Sequence, residues 1–457
     1  MSETATPIDE SVLERGLERI SDLLARATAA GADAADAVWF DSASLAVSWR
    51  MGRLEDVERS ESADLGLRVF VGKCQAIAST TDLGAPALAE LVERVVAMAR
   101  AAPEDPYAGL APKDLLLSGP VPGLDLFDVT EPSPDALIER ARRAEDAARA
   151  VPGITNSEGA TANWSRQRVA LATSNGFAHG YTTTRAGLSA YVIAGEGSAM
   201  EADYDYCSVR HLADLDDPAE LGRSAGERAV ARLGPGRVAT ATLPVVLAPR
   251  VANSLLGHFA SAINGRAVAR GTSFLGQRMG EQVFSDTITI VDDPLRRRGL
   301  RSRPFDGEGV GSRPIDLVRD GRLESWLLDV ASAAQLGLAS LGHAGRGTSG
   351  PPSPTPSNLY MAAGAASPEE LIADISDGVY VTTLIGMGVN PVTGDYSRGA
   401  SGFRIENGEI TGPVTELTIA GNLNDMFAAL TPANDLEFRY GTNAPTLRID
   451  GMTVAGQ

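Results

Sequence analysis

A period-two alternation of apolar residues constrains this chain more than any other feature of its sequence. Between Ser44 and Thr80, apolar residues take alternate positions in two runs: Leu45, Val47 and Trp49, then Leu65, Leu67, Val69 and Val71. Successive side chains of a strand point to opposite faces, so this pattern predicts strands with one buried face. Gly72 and Lys73 predict a turn into a further strand.

Segments with helical spacing surround these strands. Apolar residues between Ile8 and Ala30 recur every three or four positions, and Gly31 follows as a stop signal. Further helices are predicted over about Pro86 to Ala102, Pro134 to Ala150 and Pro218 to Leu233. A proline at the start suits the first turn of a helix.

A segment rich in proline and glycine divides the chain into units. Residues 103–133 are rich in both and predict a linker. We therefore expect an N-terminal α/β domain over 1–102, a central α+β domain over 134–236 and a β-rich C-terminal domain over 237–457.

The C-terminal unit carries two hairpin signatures, Asp320-Gly321 and Asn407-Gly408, because type I′ turns need positive φ at two positions. The segment from Gly342 to Pro356 is too rich in glycine and proline for a regular element and predicts a long loop. The expected fold class is α+β, with a helix-and-antiparallel-sheet N-terminal half followed by a mostly antiparallel β C-terminal domain.

The excess of acidic side chains limits the kinds of molecule that this chain is expected to bind. The net charge of −19 arises from 40 basic and 59 acidic side chains, so nucleic acid and anionic membranes are not expected partners. Arg296 to Arg303 is the strongest basic run, and we interpret it as a solvated loop. No apolar run approaches the roughly 18 residues of a spanning helix, and the N-terminus lacks signal-peptide features, so a cytoplasmic protein is expected.

The matches between this sequence and common catalytic motifs are weak. Residues Gly222 to Gly226 read G-x-S-x-G, but they lie inside a helical pattern, where a nucleophile elbow cannot form, and we interpret the match as chance. The four histidines, at positions 179, 211, 258 and 343, include no H-x-x-x-H pair. We expect none of them to be a metal ligand.

Four segments resemble signatures of the TldD/PmbA family, on its PmbA (TldE) side: "GLRVFVGKCQAIAST", "GRAVARGTSFLGQRMGE", "VTGDYSRGASGFRIENGEI" and "ELTIAGNLNDMF". The resemblance runs from the first helix to the end, and the third segment is particularly characteristic. It implies a metalloprotease in which TldD and PmbA subunits pair. TldD holds the zinc through an H-E-x-x-x-H helix and a more C-terminal cysteine.

The resemblance places no metal ligand in this chain. Counting back from the "GTS" at 271–273 sets Leu256, Gly257 and Ser261 against the first histidine, the glutamate and the second histidine. His258 lies two places from the first ligand position, on another face of the helix. Cys207 is the last cysteine, so the C-terminal ligand is also missing. No cofactor is expected in this chain, and zinc is expected in a TldD-like partner.

The "GDYSRGASG" segment, Gly394 to Gly402, has two open interpretations. One is a flexible loop that lines the partner's active-site chamber, with candidate contacts Asp395, Tyr396, Ser397 and Arg398. The other is a tight structural loop whose glycines satisfy backbone geometry. Peptide substrates would bind most simply as an added strand, and Ser357 to Gly364 is a possible edge for that.

The expected function is that of a non-catalytic PmbA/TldE-type subunit in a cytosolic TldD/PmbA-type metalloprotease that acts on unfolded peptides. Expected partners are a TldD-like subunit and unfolded peptides, and the isolated chain could form a homodimer. Two alternatives stay open. One is a self-sufficient peptidase with an unrecognised site, and the other is a non-enzymatic binding or scaffold protein.

Overall fold

The computed structural model describes residues 10–456, and the predicted helix start at Ile8 lies outside that range. The N-terminal half is built on a six-stranded antiparallel sheet of order β3-β2-β1-β4-β5-β6. Its strands are β1 Ala34–Arg50, β2 Arg53–Val71, β3 Cys74–Thr80, β4 Ile154–Thr173, β5 Ala178–Ala194 and β6 Glu201–Val209. The predicted strands and the turn at Gly72-Lys73 are confirmed.

Helices cover one face of this sheet in two pairs. They are α1 Glu10–Ala29, α2 Ala85–Ala101, α3 Pro134–Arg149 and α4 Pro218–Ala231. The first pair packs on Trp39 and its same-face neighbours on β1, and the second packs farther along β1 around Leu45 and Val47. The predicted helices are confirmed over the described residues.

The G-x-S-x-G pattern lies inside helix α4, and its glycines serve helix packing. A Cβ on Gly222 would lie 2.0 Å from the Ala144 carbonyl oxygen of α3. A Cβ on Gly226 would lie 2.9 Å from the Ala148 carbonyl oxygen. The interpretation of the motif as a chance match is confirmed, because Ser224 sits on a helix and not on a strand-to-helix turn.

The predicted linker, residues 103–133, is irregular backbone. Within it, Leu117 N–H donates to the Gly309 carbonyl at 2.9 Å, so the segment bridges the two halves of the chain. Strand β1, which precedes the linker, and strand β4, which follows it, pair over most of their lengths. The six-stranded sheet therefore joins residues from the ranges 1–102 and 134–236, and the proposed domain boundaries stay a prediction.

The C-terminal half contains a second six-stranded sheet within the described range, of order β16-β15-β14-β7-β19-β17. Its strands are β7 Ala241–Leu247, β14 Asp377–Ile385, β15 Asp395–Glu406, β16 Glu409–Asn422, β17 Leu430–Pro432 and β19 Leu447–Ala455. Only the β7–β14 pair of this sheet is parallel. A further pairing of β16 with β19 closes most of these strands into a ring.

Smaller elements complete this half. The helices are α5 Pro249–Ala262, α6 Gly265–Ala269, α7 Val330–Leu336, α8 Pro368–Ile372 and α9 Leu423–Ala428. A five-stranded sheet of order β10-β9-β8-β13-β18 contains β8 Ile290–Asp292, β9 Ile315–Arg319, β10 Arg322–Leu323, β13 Leu359–Met361 and β18 Thr442–Asn443. A separate pair joins β11 Ala344–Gly345 to β12 Ser353–Pro354. The α+β fold class is confirmed.

Both hairpin signatures are confirmed. φ is 49° and 75° at Asp320 and Gly321, and 52° and 81° at Asn407 and Gly408, the positive values that type I′ turns require. The expectation that Gly342 to Pro356 holds no regular element is wrong in detail, because β11 and β12 form a short ladder inside it.

The prediction of a sheet edge at Ser357 to Gly364 is wrong. Its strand β13 pairs antiparallel with β8 on one side and parallel with β18 on the other. Both rows of backbone hydrogen-bonding groups are therefore occupied, and no peptide can add there as a strand.

A buried ionic network joins the two halves. Arg68 of β2 donates from Nε to the Asp36 carboxylate of β1 at 2.9 Å, and Arg346 of the long loop lies 2.6 Å from the same carboxylate. Glu308 lies 3.9 Å from Arg68. Burial alone raises the pKa of Asp36, but the charges of Arg346 and Arg68 outweigh burial and hold that pKa below its ordinary value.

Glu308 has the opposite shift. Burial, followed by the negative charge of Asp306, raises the pKa of Glu308 from 4.5 to about 8. Because the folded-state pKa is the higher one, the protonated carboxyl stabilises the fold fully at pH values below the unfolded pKa. That contribution is lost as pH rises through about 8.

We predict that Glu308→Gln, which mimics the protonated carboxyl, changes the pH dependence of stability. The free energy of unfolding of the variant relative to the parent should increase between pH 5 and pH 8, as measured by denaturant titration. Glu220→Gln on α4, where Glu220 is 69% exposed, is the matched control and should show no such trend. A difference that stays constant across this pH range would contradict the assignment.

Candidate functional site

Helix α5 contains Leu256, Gly257 and Ser261, the positions that the resemblance sets against the H-E-x-x-x-H motif. Leu256 is 1% exposed and lies in the main core of the C-terminal half. Gly257 and Ser261 are exposed, and the Ser261 hydroxyl donates to the Gly257 carbonyl at 2.9 Å. These three positions present no free nitrogen, sulfur or carboxylate ligand to a common point.

His258 of α5 instead meets two of the predicted site residues. Its ring lies edge-on to Tyr396 of β15, with 5.9 Å between the ring centroids. The positive charge of Arg398 acts on both rings. Among the described residues, the buried atoms His258 Nε2, Tyr396 Oη and Arg398 Nε make no hydrogen bond of good geometry, although Arg398 lies close enough to Tyr396 for a weak one. Three such atoms in one place mark a polar site, because buried polar groups are normally satisfied.

The electrostatics of this site favour neutral rings. Burial lowers the pKa of His258, and the charge of Arg398 lowers it further. Burial also raises the pKa of Tyr396 to about 12, against the opposing effect of Arg398. At neutral pH the site therefore combines an imidazole, a phenol and one guanidinium cation, which can donate hydrogen bonds to a carbonyl or a carboxylate.

This donor set does not fit zinc. A zinc site needs three or four nitrogen, sulfur or carboxylate ligands, and here His258 would be a single nitrogen ligand beside a repelling guanidinium. Among residues 10–456, no group of three or more His, Cys, Asp or Glu side chains is placed to hold a metal ion. We derive no catalytic step through a metal in this chain.

Most of the segment from Gly394 to Gly402 is a strand rather than a loop, so both interpretations are wrong on that point, but its glycines do satisfy backbone geometry. From Asp395 onward it is the first part of β15, which pairs with β16 from Asp395 and with β14 only from Gly399 onward. Gly402 lies at a bulge, where a Cβ would come within 2.0 Å of the Tyr380 carbonyl oxygen. Its glycine reflects close strand packing rather than flexibility.

The four candidate residues divide between the two faces of the sheet. Tyr396 is 1% exposed and, with Arg398, lies on the α5 side. Asp395 and Ser397 are exposed and lie on the other side. Asp395 accepts hydrogen bonds from the Thr393 hydroxyl at 2.6 Å and from Asn422 at 3.1 Å. Their assignment to a substrate chamber stays a prediction.

Sequence reasoning missed His258 as a member of this site. It was set aside because it does not restore the zinc ligand positions, and its neighbour Tyr396 lies 138 residues farther along the chain. The available signal was the alternation Tyr396, Arg398, Ala400, which predicts a strand with one buried face. The glycines of the same segment obscured that pattern.

The other histidines have structural surroundings. His343 is 2% exposed, its Nε2 lies 3.6 Å from an Asp292 carboxylate oxygen, and burial lowers its pKa to about 3. His211 Nε2 lies 3.1 Å from the Asp125 carbonyl oxygen. His179 stacks edge-on with Phe177.

Comparison with known proteins gives consistent results along the whole chain. Residues 35–99, 127–233 and 240–456 match the PmbA/TldA metallopeptidase domain 1, central domain and C-terminal domain, respectively. Metalloprotease PmbA of Escherichia coli O157:H7 is 41% identical over 427 residues, which cover 93% of each chain. The metalloprotease PmbA homolog of Haemophilus influenzae is 36% identical over 457 residues, which cover 100% of this chain and 99% of the relative.

The fold is also that of a solved relative. TldE from Thermococcus kodakarensis superposes with a TM-score of 0.85 at 22% identity, covering 96% of this chain and 100% of that structure. At 22% sequence identity, this structural similarity shows a shared fold and nothing beyond it. No helix among the described residues is long and apolar enough to cross a membrane.

The electrostatic effect of Arg398 on His258 predicts a measurable pKa shift. Arg398→Gln removes the repelling charge, so the pKa of His258 should rise relative to the parent protein. Histidine NMR titration can follow it, because the chain has four histidines and His258→Gln identifies the resonance. Arg404→Gln, on the same strand, is the control and should leave the pKa unchanged. An unchanged pKa in Arg398→Gln would contradict the described geometry.

Proposed function

The chain belongs to the PmbA/TldD family of metallopeptidases, and from this membership we propose that it is the non-catalytic subunit of a two-component cytoplasmic protease. A TldD-like partner would carry the zinc and cleave unfolded peptides. The observation that carries this proposal is the occupation of the family's zinc-helix positions by Leu256, Gly257 and Ser261.

The surroundings of α5 favour a non-catalytic role for this chain. Leu256 is part of the core, so a ligand at its position would have to replace packed apolar surface. His258 faces a guanidinium and a phenol rather than a second ligand. Ser224, the only serine in a nucleophile-elbow pattern, is held inside α4. These observations favour a partner-dependent role over a self-sufficient peptidase.

The β14–β15 hairpin offers a surface for the partner. Its tip exposes Met387 to 86%, Ile385 to 64% and Val392 to 54%. Exposed apolar side chains in one place commonly mark a protein interface. The tip adjoins Asp395, the first residue of β15, so a partner bound at the tip would lie close to the exposed candidate residues.

We assign the four candidate residues different parts in this proposal. Asp395, Ser397 and Arg398 can contact a peptide or the partner from the two faces of β15. Tyr396 is almost completely buried and positions the strand against α5. Peptide substrates would then lie against a rigid sheet wall rather than a flexible loop.

The proposal predicts a stable heteromer with a TldD-like protein. Permanent interfaces of this kind bury roughly 2,000 Å² or more and are largely apolar, so the complex should survive gel filtration at high salt. The isolated chain, analysed in the same way, shows whether a homodimer forms in the absence of the partner. Separate elution of the two proteins at low and high salt would contradict the proposal.

Two variants should separate assembly from chamber function. Met387→Asp places a charge in the apolar tip and should abolish co-elution, whereas Leu338→Asp, at a position 49% exposed elsewhere, is the control and should not. Arg398→Ala should preserve co-elution but lower the peptidase activity of the complex about tenfold or more, because peptide positioning is lost. Loss of co-elution in Leu338→Asp, or full activity in Arg398→Ala, would contradict these assignments.

A further inference from the structure

The basic run Arg296 to Arg303 is a loop, as expected, but it is only partly solvated, because Arg297 and Arg301 are exposed whereas Gly299 and Ser302 are buried. Arg297 and Arg298 share the Asp125 carboxylate, at 2.9 and 2.7 Å. Arg303 donates to the backbone carbonyls of the long loop, including that of Ala344 at 3.2 Å. These contacts tie the loop to both halves of the chain and bring several guanidinium groups together.

These arginines help line a cavity of about 210 Å³, separate from the α5–β15 site. We call it the arginine pocket, and it is defined by Arg210, Asp214, Arg296, Arg297, Arg298 and Tyr440. It lies where the end of β6 meets β18, and both of these strands are edges of their sheets.

The pocket carries more positive charge than its own carboxylates balance. Arg298 pairs with Asp214 at 2.8 Å, in addition to its contact with Asp125. Arg210 is 8% exposed and donates only to backbone carbonyls, those of Gly299, Thr184 and Leu300. Neutral carbonyls satisfy its hydrogen-bonding groups but leave its charge without a counter-ion.

Arg296 lies at the wall of the pocket, where an aromatic ring orients its guanidinium group. Its guanidinium lies 3.2 Å from the centroid of the Phe438 ring, which orients the planar group without neutralising it. Among the described residues, neither Arg296 nor Arg210 has a carboxylate within the 4.0 Å of an ion pair. The pocket therefore contains two guanidinium groups without an anionic partner.

Two further arginines add to the local positive charge. Arg185 donates to Ser208 of the pocket wall at 2.7 Å, and Arg301 borders Gly441. Burial, with a smaller contribution from the charge of Arg185, lowers the pKa of Arg210 to about 10. Desolvation likewise lowers the pKa of Arg301, and the repulsion from Arg185 and Arg303 acts in the same direction against the attraction of Asp292. Mutual repulsion of this kind, in a chain of net charge −19, is relieved by a bound anion.

We propose that the arginine pocket binds a carboxylate of a peptide, from its C-terminus or from an acidic side chain. The planar guanidinium fork matches the two oxygens of a carboxylate. The cavity is smaller than the usual ligand pocket of roughly 300 to 1,000 Å³, so it accommodates one anionic group rather than a whole nucleotide. This inference rests on the proposed function, which supplies peptides as the ligand class.

An aromatic row leads from the pocket along β6. Tyr440 of the pocket lies 5.3 Å from the ring of Tyr206, which stacks on Tyr204 at 6.1 Å. The backbone N–H groups of Tyr204 and Tyr206 donate to the carboxylates of Asp203 and Asp205, so this part of the β6 edge is occupied. A peptide would therefore lie across the tyrosine rings, with its carboxylate held in the pocket.

Peptide binding to the isolated full-length chain tests the proposal. Fluorescence anisotropy would compare a labelled peptide without acidic side chains and with a free C-terminal carboxylate, the same peptide with a C-terminal amide, and the amide peptide with one internal aspartate. At least one carboxylate-bearing peptide should bind about tenfold or more tightly than the amide, as expected for charge-assisted hydrogen bonds. Which one binds identifies the source of the carboxylate.

Arg296→Gln should remove most of this preference, and Arg296→Lys, which keeps the charge, should retain part of it. Arg319→Gln on β9, where Arg319 is 63% exposed and pairs with Asp316, is the matched control and should preserve the preference in full. Equal binding of all three peptides, or a preference unaffected by Arg296→Gln, would overturn the proposal. The partner is absent from this assay, so failed heteromer formation and failed peptide binding are distinguishable.

Discussion

The structure depends on the carboxylate of Asp36, which is fully buried between the guanidinium groups of Arg68 and Arg346. Breaking a buried ion pair by removing one partner typically costs about 3 to 5 kcal/mol, because an uncompensated charge stays behind. Asp36 and Arg68 belong to the N-terminal sheet, and Arg346 comes from the long loop of the C-terminal half. This network fixes how the two halves meet.

The same junction brings the loop very close to the sheet. A Cβ on Gly66 of β2 would lie 2.3 Å from the Thr348 carbonyl oxygen, so only glycine allows this approach. The arginine pocket and the tyrosine row on β6 both lie where the two halves meet. Their geometry therefore depends on how the two halves pack together.

Local patterns in the sequence predicted local structure well. The Asp-Gly and Asn-Gly pairs predicted hairpins because positive φ is a property of single residues. The position of β13 between two strands could not be predicted, because β8 and β18 come from distant parts of the chain. The contact of His258 with Tyr396 was missed for the same reason. The glycines of β15 suggested a loop, but in the structure they allow close strand packing at a β-bulge.

The central claim is that this chain lacks the catalytic metal site and serves a partner that carries it. The most direct measurement is the peptidase activity of the reconstituted pair, with the histidines of the TldD-like partner's zinc motif replaced and this chain left intact. We expect no activity from that complex, none from this chain alone, and full activity when the partner's motif is intact. Activity of this chain alone, or of the complex with the altered partner, would contradict the claim.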